Sequence, residues 1–151
     1  MCSSDLVRPE RTEVEYGYLV PGARVGGVGD AFRVATFHEK PTPEAAAEII
    51  RRGGLWNSFV MVGRVARFLE LLRDRRPGDV ALLAGGLPGA YDAIEGWNFS
   101  RDFLAHVAPH LVVARADDLG WSDWGTEDAI ERTLVGLGIT PPWRAPLRAT
   151  A

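Results

Sequence analysis

The sequence predicts an α/β domain in which a mixed sheet is flanked by helices. Stretches with the pattern of strands are interspersed with stretches that have the period of amphipathic helices. A glycine-rich loop at residues 25–30 joins the first two strands, which predicts a hairpin and therefore an antiparallel pair. The 151 residues, 46% of them hydrophobic and 25% charged, suffice to bury one globular core.

Composition also excludes several classes of protein. A net charge of -3 and the lack of a long basic stripe argue against nucleic-acid binding. The one cysteine, Cys2, excludes an internal disulfide. His106 and His110 have the spacing of a helical metal pair, but Pro109 lies between them. No apolar stretch is long enough to span a membrane and no signal peptide is recognisable, so we expect no membrane partner and a cytoplasmic location.

The first third of the chain predicts a lead-in and a hairpin. Residues 1–12 are polar and aperiodic, which predicts a flexible lead-in. Residues 13–20 alternate in the manner of a strand and end at the turn signal Pro21-Gly22. Residues 31–38 predict the returning strand. The loop between them favours a hairpin over a phosphate-binding loop, because no lysine follows and a strand comes next.

A helix and a strand follow the hairpin. Thr42 can cap the helix, Pro43 suits its first position, and Gly53 suits a left-handed residue at its end. The continuous apolar run at residues 55–62, broken by an amide and a hydroxyl, predicts a strand.

The middle of the chain predicts mostly helices. A helix begins at Val65, since apolar residues recur there at i, i+3, i+4 and i+7. Residues 80–95 predict one or two short helices, and Ser100 is the predicted cap of another. Residues 111–115 predict the last strand.

Near the end of the chain, Thr126 is predicted to cap a helix that ends at Gly138. Its predicted core side consists of Ile130, Leu134 and Leu137. The proline-rich residues 139–151 predict an extended tail.

The run Glu39-Lys40-Pro41 is a candidate ligand site at a strand end. Pro41 predicts an extended backbone at Lys40, the only lysine of the chain. An ammonium group suits a phosphate, and a carboxylate can accept hydrogen bonds from sugar hydroxyls. A solvated strand end that leads into a helix explains the same residues.

Asn57 and Asp123 are two further candidates. An amide within an apolar strand needs a hydrogen-bond partner, which is either neighbouring backbone or a ligand hydroxyl. Asp123 stands between two tryptophans and before Gly125. It forms a local turn or binds a hard cation such as Mg²⁺, and the spacing alone favours the turn.

Five short motifs stand in the order typical of mannose-1-phosphate guanylyltransferases, which are sugar-phosphate nucleotidyltransferases. Over residues 13–137 the chain resembles this family. The motifs are Glu15-Tyr16-Gly17-Tyr18, Phe37-His38-Glu39-Lys40-Pro41, Leu55-Trp56-Asn57-Ser58, Phe99-Ser100-Arg101-Asp102 and Gly120-Trp121-Ser122-Asp123-Trp124-Gly125.

The resemblance implies a fold, a reaction and residue roles. Residues 13–138 would be the C-terminal part of a Rossmann-like nucleotidyltransferase domain, which makes GDP-mannose and pyrophosphate from GTP and mannose 1-phosphate. Gly17 would let the backbone approach the sugar, while Glu39 and Asn57 would hold its hydroxyls. Lys40 would bind the sugar phosphate and Asp123 the catalytic Mg²⁺.

The sequence departs from the family pattern in two places. It contains no match to the family's glycine-rich triphosphate loop, G-G-x-G-T-R-L, so we expect an incomplete domain from a truncated reading frame that is inactive alone. An uncovered sheet edge would favour a homo-oligomer. The alternatives are a nucleotidyltransferase for another sugar 1-phosphate and a non-catalytic sugar-phosphate-binding or regulatory module. Phe59 also stands where many relatives carry glycine.

Overall fold

The computed structural model describes residues 2–27, 29–86, 89–115 and 121–144. The chain divides into two compact units, Met1–Asp117 and Asp118–Ala151. Among the described residues, no helix has the length and apolar character that crossing a bilayer requires.

A closed sheet is the centre of the first unit. Its neighbours follow the order β1-β4-β2-β3-β5, and the last strand pairs with the first. The β1/β5 pair is parallel and the other pairs are antiparallel. The strands of the described chain are β1 Cys2–Val7, β2 Gly17–Arg24, β3 Ala31–Glu39, β4 Leu55–Val62 and β5 Leu111–Arg115. The α/β class and the mixed sheet are therefore confirmed.

The closure of the sheet is not predicted by the sequence. Each described strand has a neighbour on both sides, so the barrel has no open edge. The predicted uncovered edge is therefore wrong, and a homo-oligomer stays a prediction without that support.

Strand β1 replaces the flexible lead-in that the sequence predicts for residues 1–12. Ser3 lies opposite Val62 of β4, and Cys2 lies opposite Leu111 of β5. Pairing of this kind uses backbone groups, which every residue except proline offers in full. A polar segment without a period can therefore form a strand when neighbours stand on both sides. The predicted domain boundaries at residues 13 and 138 stay predictions.

Strands β2 and β3 form the predicted hairpin. The bond from the Val25 amide to the Ala31 carbonyl, 2.8 Å long, closes the glycine-rich loop, as the hairpin interpretation requires. Pro21-Gly22 is not a turn, because β2 continues to Arg24 with shifts of register around Pro21. A proline that cannot donate to the ladder is accommodated in a sheet at such irregularities.

The helices begin where the sequence places their caps. The Thr42 hydroxyl accepts a hydrogen bond from the Ala45 amide, and the Thr126 hydroxyl accepts one from the Ala129 amide. Gly53 follows the first helix with a φ of 78°. The α-helices of the described residues are α1 Pro43–Arg51, α2 Val65–Arg75, α3 Pro77–Ala84, α4 Ala90–Ala93, α5 Ala105–Val107 and α6 Glu127–Gly136.

The segment before α5 differs from its prediction. Asn98, not Ser100, is the cap, because the Asn98 side-chain oxygen accepts the Arg101 amide at 2.7 Å. Phe99–Leu104 then forms a π-helix in which Ser100 is buried. Such wide turns are rare and occur frequently at functional sites.

The core of the first unit is formed by residues of the strands and of the helices that pack on them. Leu19, Phe37 and Leu55 lie side by side on three neighbouring strands and are all buried. Phe103 and Leu71 extend this core from the π-helix and from α2.

The second unit buries less of its helix than the sequence predicts. Ala129 is the buried residue of α6, whereas Leu137 is 66% exposed. Gly138 ends the helix with a φ of 71°, as predicted. Pro142–Arg144 forms one turn of 3-10 helix within the tail predicted to be extended, and residues 145–151 lie outside the described part.

Phe59 lies in a bulge of β4 and has a φ of 64°, a left-handed conformation that favours glycine. Four positions of β4 separate Asn57 from Met61, but their partners Leu6 and Ser4 on β1 are only two positions apart. The Phe59 ring contacts Phe99, with ring centres 5.8 Å apart. Glycine would adopt this backbone without strain.

We expect Phe59→Gly to be more stable than Phe59→Ala by about 1 kcal/mol in urea denaturation. Both variants lose the ring contact, but only glycine relieves the left-handed backbone. At the exposed neighbour Val60, whose φ is not positive, alanine should be the more stable of the two, as is usual in strands. An alanine variant at position 59 that is at least as stable as the glycine variant contradicts this account.

Candidate functional site

Three predicted site residues lie side by side on neighbouring strands. Gly17 of β2 is paired with Glu39 of β3, and the pairing of Tyr18 with Trp56 places Asn57 of β4 on the other side of Gly17. A Cβ atom added at Gly17 would lie 3.0 Å from Oε2 of Glu39 and 3.4 Å from Cβ of Asn57. The glycine therefore leaves space that the Glu39 carboxylate and the base of the Asn57 side chain approach.

This polar row is continuous with the apolar core of the first unit. Because strand side chains alternate, Gly17 and Leu19 share a face, and so do their partners Glu39 and Phe37. The Phe37 ring reaches to 3.2 Å from the position of a Cβ at Gly17. The site is thus a row of polar groups whose base is the hydrophobic core.

The Glu39 carboxylate is half-buried, and burial raises its pKa above the ordinary 4.5. The positive charge of Lys40, a hydrogen bond from the Ser100 hydroxyl and the charge of Arg101 act in the opposite direction. A carboxylate in these surroundings is partly desolvated and has fixed neighbours, which suits it to accept hydrogen bonds from a ligand.

Ser100 and Arg101 join the site from the π-helix, which the sequence does not predict. The Arg101 Nε and Nη2 atoms donate to Asp102 at 2.8 and 3.1 Å, and the Asn98 amide donates to the same carboxylate at 2.8 Å. These bonds lower the pKa of Asp102 to about 2, and those from Arg101 have the largest effect. The motif Phe99-Ser100-Arg101-Asp102 is the sequence signal that points to them, since it belongs to the family resemblance.

Lys40 stands at the end of β3 with a φ of 47°, so the extended backbone predicted from Pro41 is wrong. The Lys40 amide donates to the Tyr16 carbonyl at 3.2 Å and prolongs the β2–β3 ladder by one pair. This bond outweighs the preference that proline imposes on its neighbour. The Lys40 ammonium donates to Oε2 of Glu15 at 2.8 Å on the protein surface.

Asn57 hydrogen-bonds local backbone through its side-chain oxygen, which accepts the Phe59 amide at 3.1 Å. The two ends of a carboxamide act separately, so the nitrogen can donate to a ligand while the oxygen supports the bulge. Both interpretations of this residue are therefore compatible with the geometry.

Asp123 belongs to the second unit and forms a turn. Its Oδ1 atom accepts the Gly125 amide at 2.9 Å, which is the turn interpretation that the spacing favours. Beside it, the Thr133 hydroxyl donates to the Ser122 hydroxyl at 2.7 Å. Gly120, the first residue of this motif, lies outside the described residues.

In the described part of the chain, no group of three or more His, Cys, Asp or Glu residues could hold a metal ion. A single carboxylate such as Asp123 still fits Mg²⁺ as one ligand among several. Mg²⁺ keeps several waters in proteins and is usually held by one or two carboxylates together with substrate phosphates.

We expect Glu39→Gln to raise the free energy of unfolding at pH 7. A carboxyl whose folded pKa is raised favours the folded state below the unfolded pKa, near 4.5, and this contribution is lost as pH rises through the folded value. The gain in the glutamine variant should therefore disappear below pH 4.5 in urea titrations. The control is Glu70→Gln, which removes the same charge from the surface of α2. An equal rise in the free energy of unfolding of this control would contradict the burial argument.

No protein-family model matches the chain. The mannose-1-phosphate guanylyltransferase ManC of Salmonella typhimurium LT2 is 34% identical over 132 residues, which cover 78% of this chain and 28% of that protein. The mannose-1-phosphate guanylyltransferase of Escherichia coli K12 is 40% identical over 136 residues, with the same two coverages of 78% and 28%.

A solved structure agrees with these relatives. The crystal structure of a mannose-1-phosphate geranyltransferase from Thermus thermophilus has a TM-score of 0.68 and 28% sequence identity, and the match covers 77% of this chain and 35% of that one. The chain spans about 28% of the length of the two curated relatives. Sequence and fold together confirm the recognition from motifs: this chain is homologous to a segment of the mannose-1-phosphate guanylyltransferases.

Proposed function

We propose that the chain forms the sugar-phosphate-binding part of a mannose-1-phosphate guanylyltransferase site. The observation that carries this proposal is the row of Gly17, Glu39 and Asn57 on three adjacent strands. The names of the relatives supply the substrate class, a sugar 1-phosphate, and the guanylyl group that GTP provides. We also propose a cytoplasmic location, where both substrates would be met.

In this proposal the polar row binds the sugar. Glu39 accepts hydrogen bonds from pyranose hydroxyls, and the Asn57 side-chain nitrogen donates to another hydroxyl. Gly17 leaves room for the ring beside the backbone of β2. The Ser100 hydroxyl donates a hydrogen bond to Glu39, so the carboxylate has a fixed partner when the sugar arrives.

Lys40 binds and orients the phosphate of the sugar. In the proposed reaction an oxygen of this phosphate attacks the α-phosphorus of GTP, forming a new P–O bond as the bond to the β-phosphate breaks and pyrophosphate leaves. No covalent bond to the protein forms. The contribution of the protein is positioning and charge neutralisation, for which an ammonium beside the attacking phosphate is suited.

We further propose that Asp123 contributes one ligand to Mg²⁺, which supplies neutralisation of triphosphate charge when it is bound. Because a carboxylate also binds Mn²⁺, we expect Mn²⁺ to broaden the NMR signals of Asp123 and Gly125. Asp123→Asn should abolish the broadening, whereas Asp128→Asn, on the nearby helix α6, should not. Equal broadening in both variants would contradict this assignment.

The isolated chain is proposed to bind the sugar phosphate without transferring a nucleotide. Its glycine-rich run Gly26-Gly27-Val28-Gly29 is followed by Asp30 instead of the family's T-R-L, and it lies in the loop between β2 and β3. The second candidate is a non-catalytic sugar-phosphate-binding module, for which the polar row by itself would suffice. A preference for another sugar 1-phosphate is the variant within the same class.

We expect the purified chain to bind mannose 1-phosphate in isothermal titration calorimetry, and Lys40→Met to weaken this binding at least tenfold. A charge-assisted hydrogen bond contributes about 1.5–3 kcal/mol, which corresponds to this factor. Arg24→Gln removes a cation from an exposed ion pair at the far end of the hairpin and should bind as the wild type does.

Absence of binding, or equal affinity in the Lys40 variant, would overturn the proposed site. The claim of deficient catalysis is tested separately with GTP, mannose 1-phosphate and Mg²⁺. Formation of GDP-mannose by the purified chain would defeat it.

A further inference from the structure

The Lys40 ammonium has an anionic partner in the protein itself. Its Nζ atom lies 2.8 Å from Oε2 of Glu15, and both side chains are more than half exposed. The backbone brings the two together, because the Lys40 amide is bonded to the carbonyl of Tyr16, the residue next to Glu15. The ion pair is therefore a consequence of strand register and not of two long side chains that meet by chance.

The charges around Glu39 do not favour an anionic ligand as they stand. Two cations, Lys40 and Arg101, act on this carboxylate, and each is also bonded to a second carboxylate, Glu15 or Asp102. If all five groups are ionised, two positive and three negative charges give a local sum of -1. A phosphate with one or two negative charges can bind well only if a carboxylate moves away.

The two outer carboxylates differ in how firmly they are held. Asp102 accepts two hydrogen bonds from Arg101 and a third from the Asn98 amide. Glu15 is held by its contact with Lys40, and its side chain is 56% exposed. An exposed ion pair of this kind is weak and costs little to exchange, so Glu15 is the carboxylate that can leave.

We infer that Glu15 is a displaceable counterion, which occupies on the Lys40 ammonium the position that the phosphate of the sugar takes on binding. This inference rests on the proposed function, since it requires that Lys40 binds a phosphate. Glu15 then lowers the affinity for every ligand that reaches Lys40 with a phosphate, and it has no effect on a neutral sugar. The residue sets the strength of phosphate binding without touching the bound ligand.

The test is calorimetric titration of mannose 1-phosphate into the wild type, Glu15→Gln and Glu70→Gln. Glutamine keeps the size of the side chain and removes the competing charge. Glu70 is the matched control, since it forms an exposed ion pair with Arg67 and its side chain is 55% exposed. Inorganic phosphate and mannose, titrated in parallel, separate the effect on the phosphate from any effect on the sugar.

We expect Glu15→Gln to bind mannose 1-phosphate about two- to fivefold more tightly, the range that follows from losing one exposed ion pair. The affinity for inorganic phosphate should rise by a similar factor, and the affinity for mannose should not change. The difference in affinity between the variant and the wild type should shrink as the salt concentration rises. The control variant should match the wild type. In the wild type, the carbon-13 signal of the Glu15 carboxyl should shift when mannose 1-phosphate is added.

The results separate this inference from the proposal on which it rests. If neither the wild type nor Glu15→Gln binds mannose 1-phosphate, the proposed function fails. If the wild type binds and Glu15→Gln binds equally or more weakly, only the role of Glu15 is overturned. An equal rise in affinity for mannose 1-phosphate in Glu70→Gln also overturns the role of Glu15, because the effect would then come from the net charge of the protein. If the Glu15 variant does not fold, the carbon-13 signal of the Glu15 carboxyl in the wild type provides the test. A signal that does not shift when mannose 1-phosphate binds overturns the inference.

Discussion

The register of β2 between β3 and β4 is the constraint on which the site depends. Successive side chains of a strand point to opposite faces, so a slip of one residue would move the polar residue of that strand to the opposite face of the sheet. The buried residues Leu19, Phe37 and Leu55 occupy the neighbouring positions of the same face and oppose that slip, because it would break their pairing with one another. The hydrophobic core therefore positions Gly17 and its two polar neighbours.

The backbone next to this row carries strain. Lys40 directly follows Glu39, Phe59 stands two residues after Asn57, and both have positive φ values, 47° and 64°. A non-glycine residue in this region costs of the order of 1–2 kcal/mol. Such a cost persists where surrounding structure over-determines the conformation, and here the ladder bond of Lys40 and the bulge of β4 do so. The strained backbone thus lies within two residues of the polar row on both strands.

Local signals in the sequence predict most of the secondary structure. Thr42, Pro43 and Thr126 predict helix starts because a cap depends on residues within one turn. The limits of β4 follow from an apolar run, which is equally local. Strand β1 and the closure of the barrel were not predictable in this way, because they depend on pairing between segments that are distant along the chain and carry no period of their own.

The site was predictable to a similar extent. Glu39 and Asn57 draw attention as polar groups at or within strands, but only the register shows that both adjoin Gly17. The contact of Ser100 with Glu39 was not predictable, because a serine before a helix is typical of an N-terminal cap. In the structure Asn98, two residues earlier, is the cap. A local rule identified the right residue type but could not choose between two neighbouring candidates.

The polar row and the cations beside it differ in their contact with solvent, and this difference suits the two parts of a sugar phosphate. Glu39 is half-buried and its hydrogen-bond partner Ser100 is buried, so in the proposed function hydroxyl groups would meet an acceptor that is partly desolvated. Lys40 is exposed and already paired, so its charge is screened by water and must be exchanged between partners. Hydrogen bonds in the partly buried row depend on geometry, whereas an exposed ammonium can bind many different anions. In the proposed function, selectivity for a sugar would therefore rest on the strand register, and attraction of the phosphate would rest on the Lys40 ammonium once it exchanges Glu15 for the ligand.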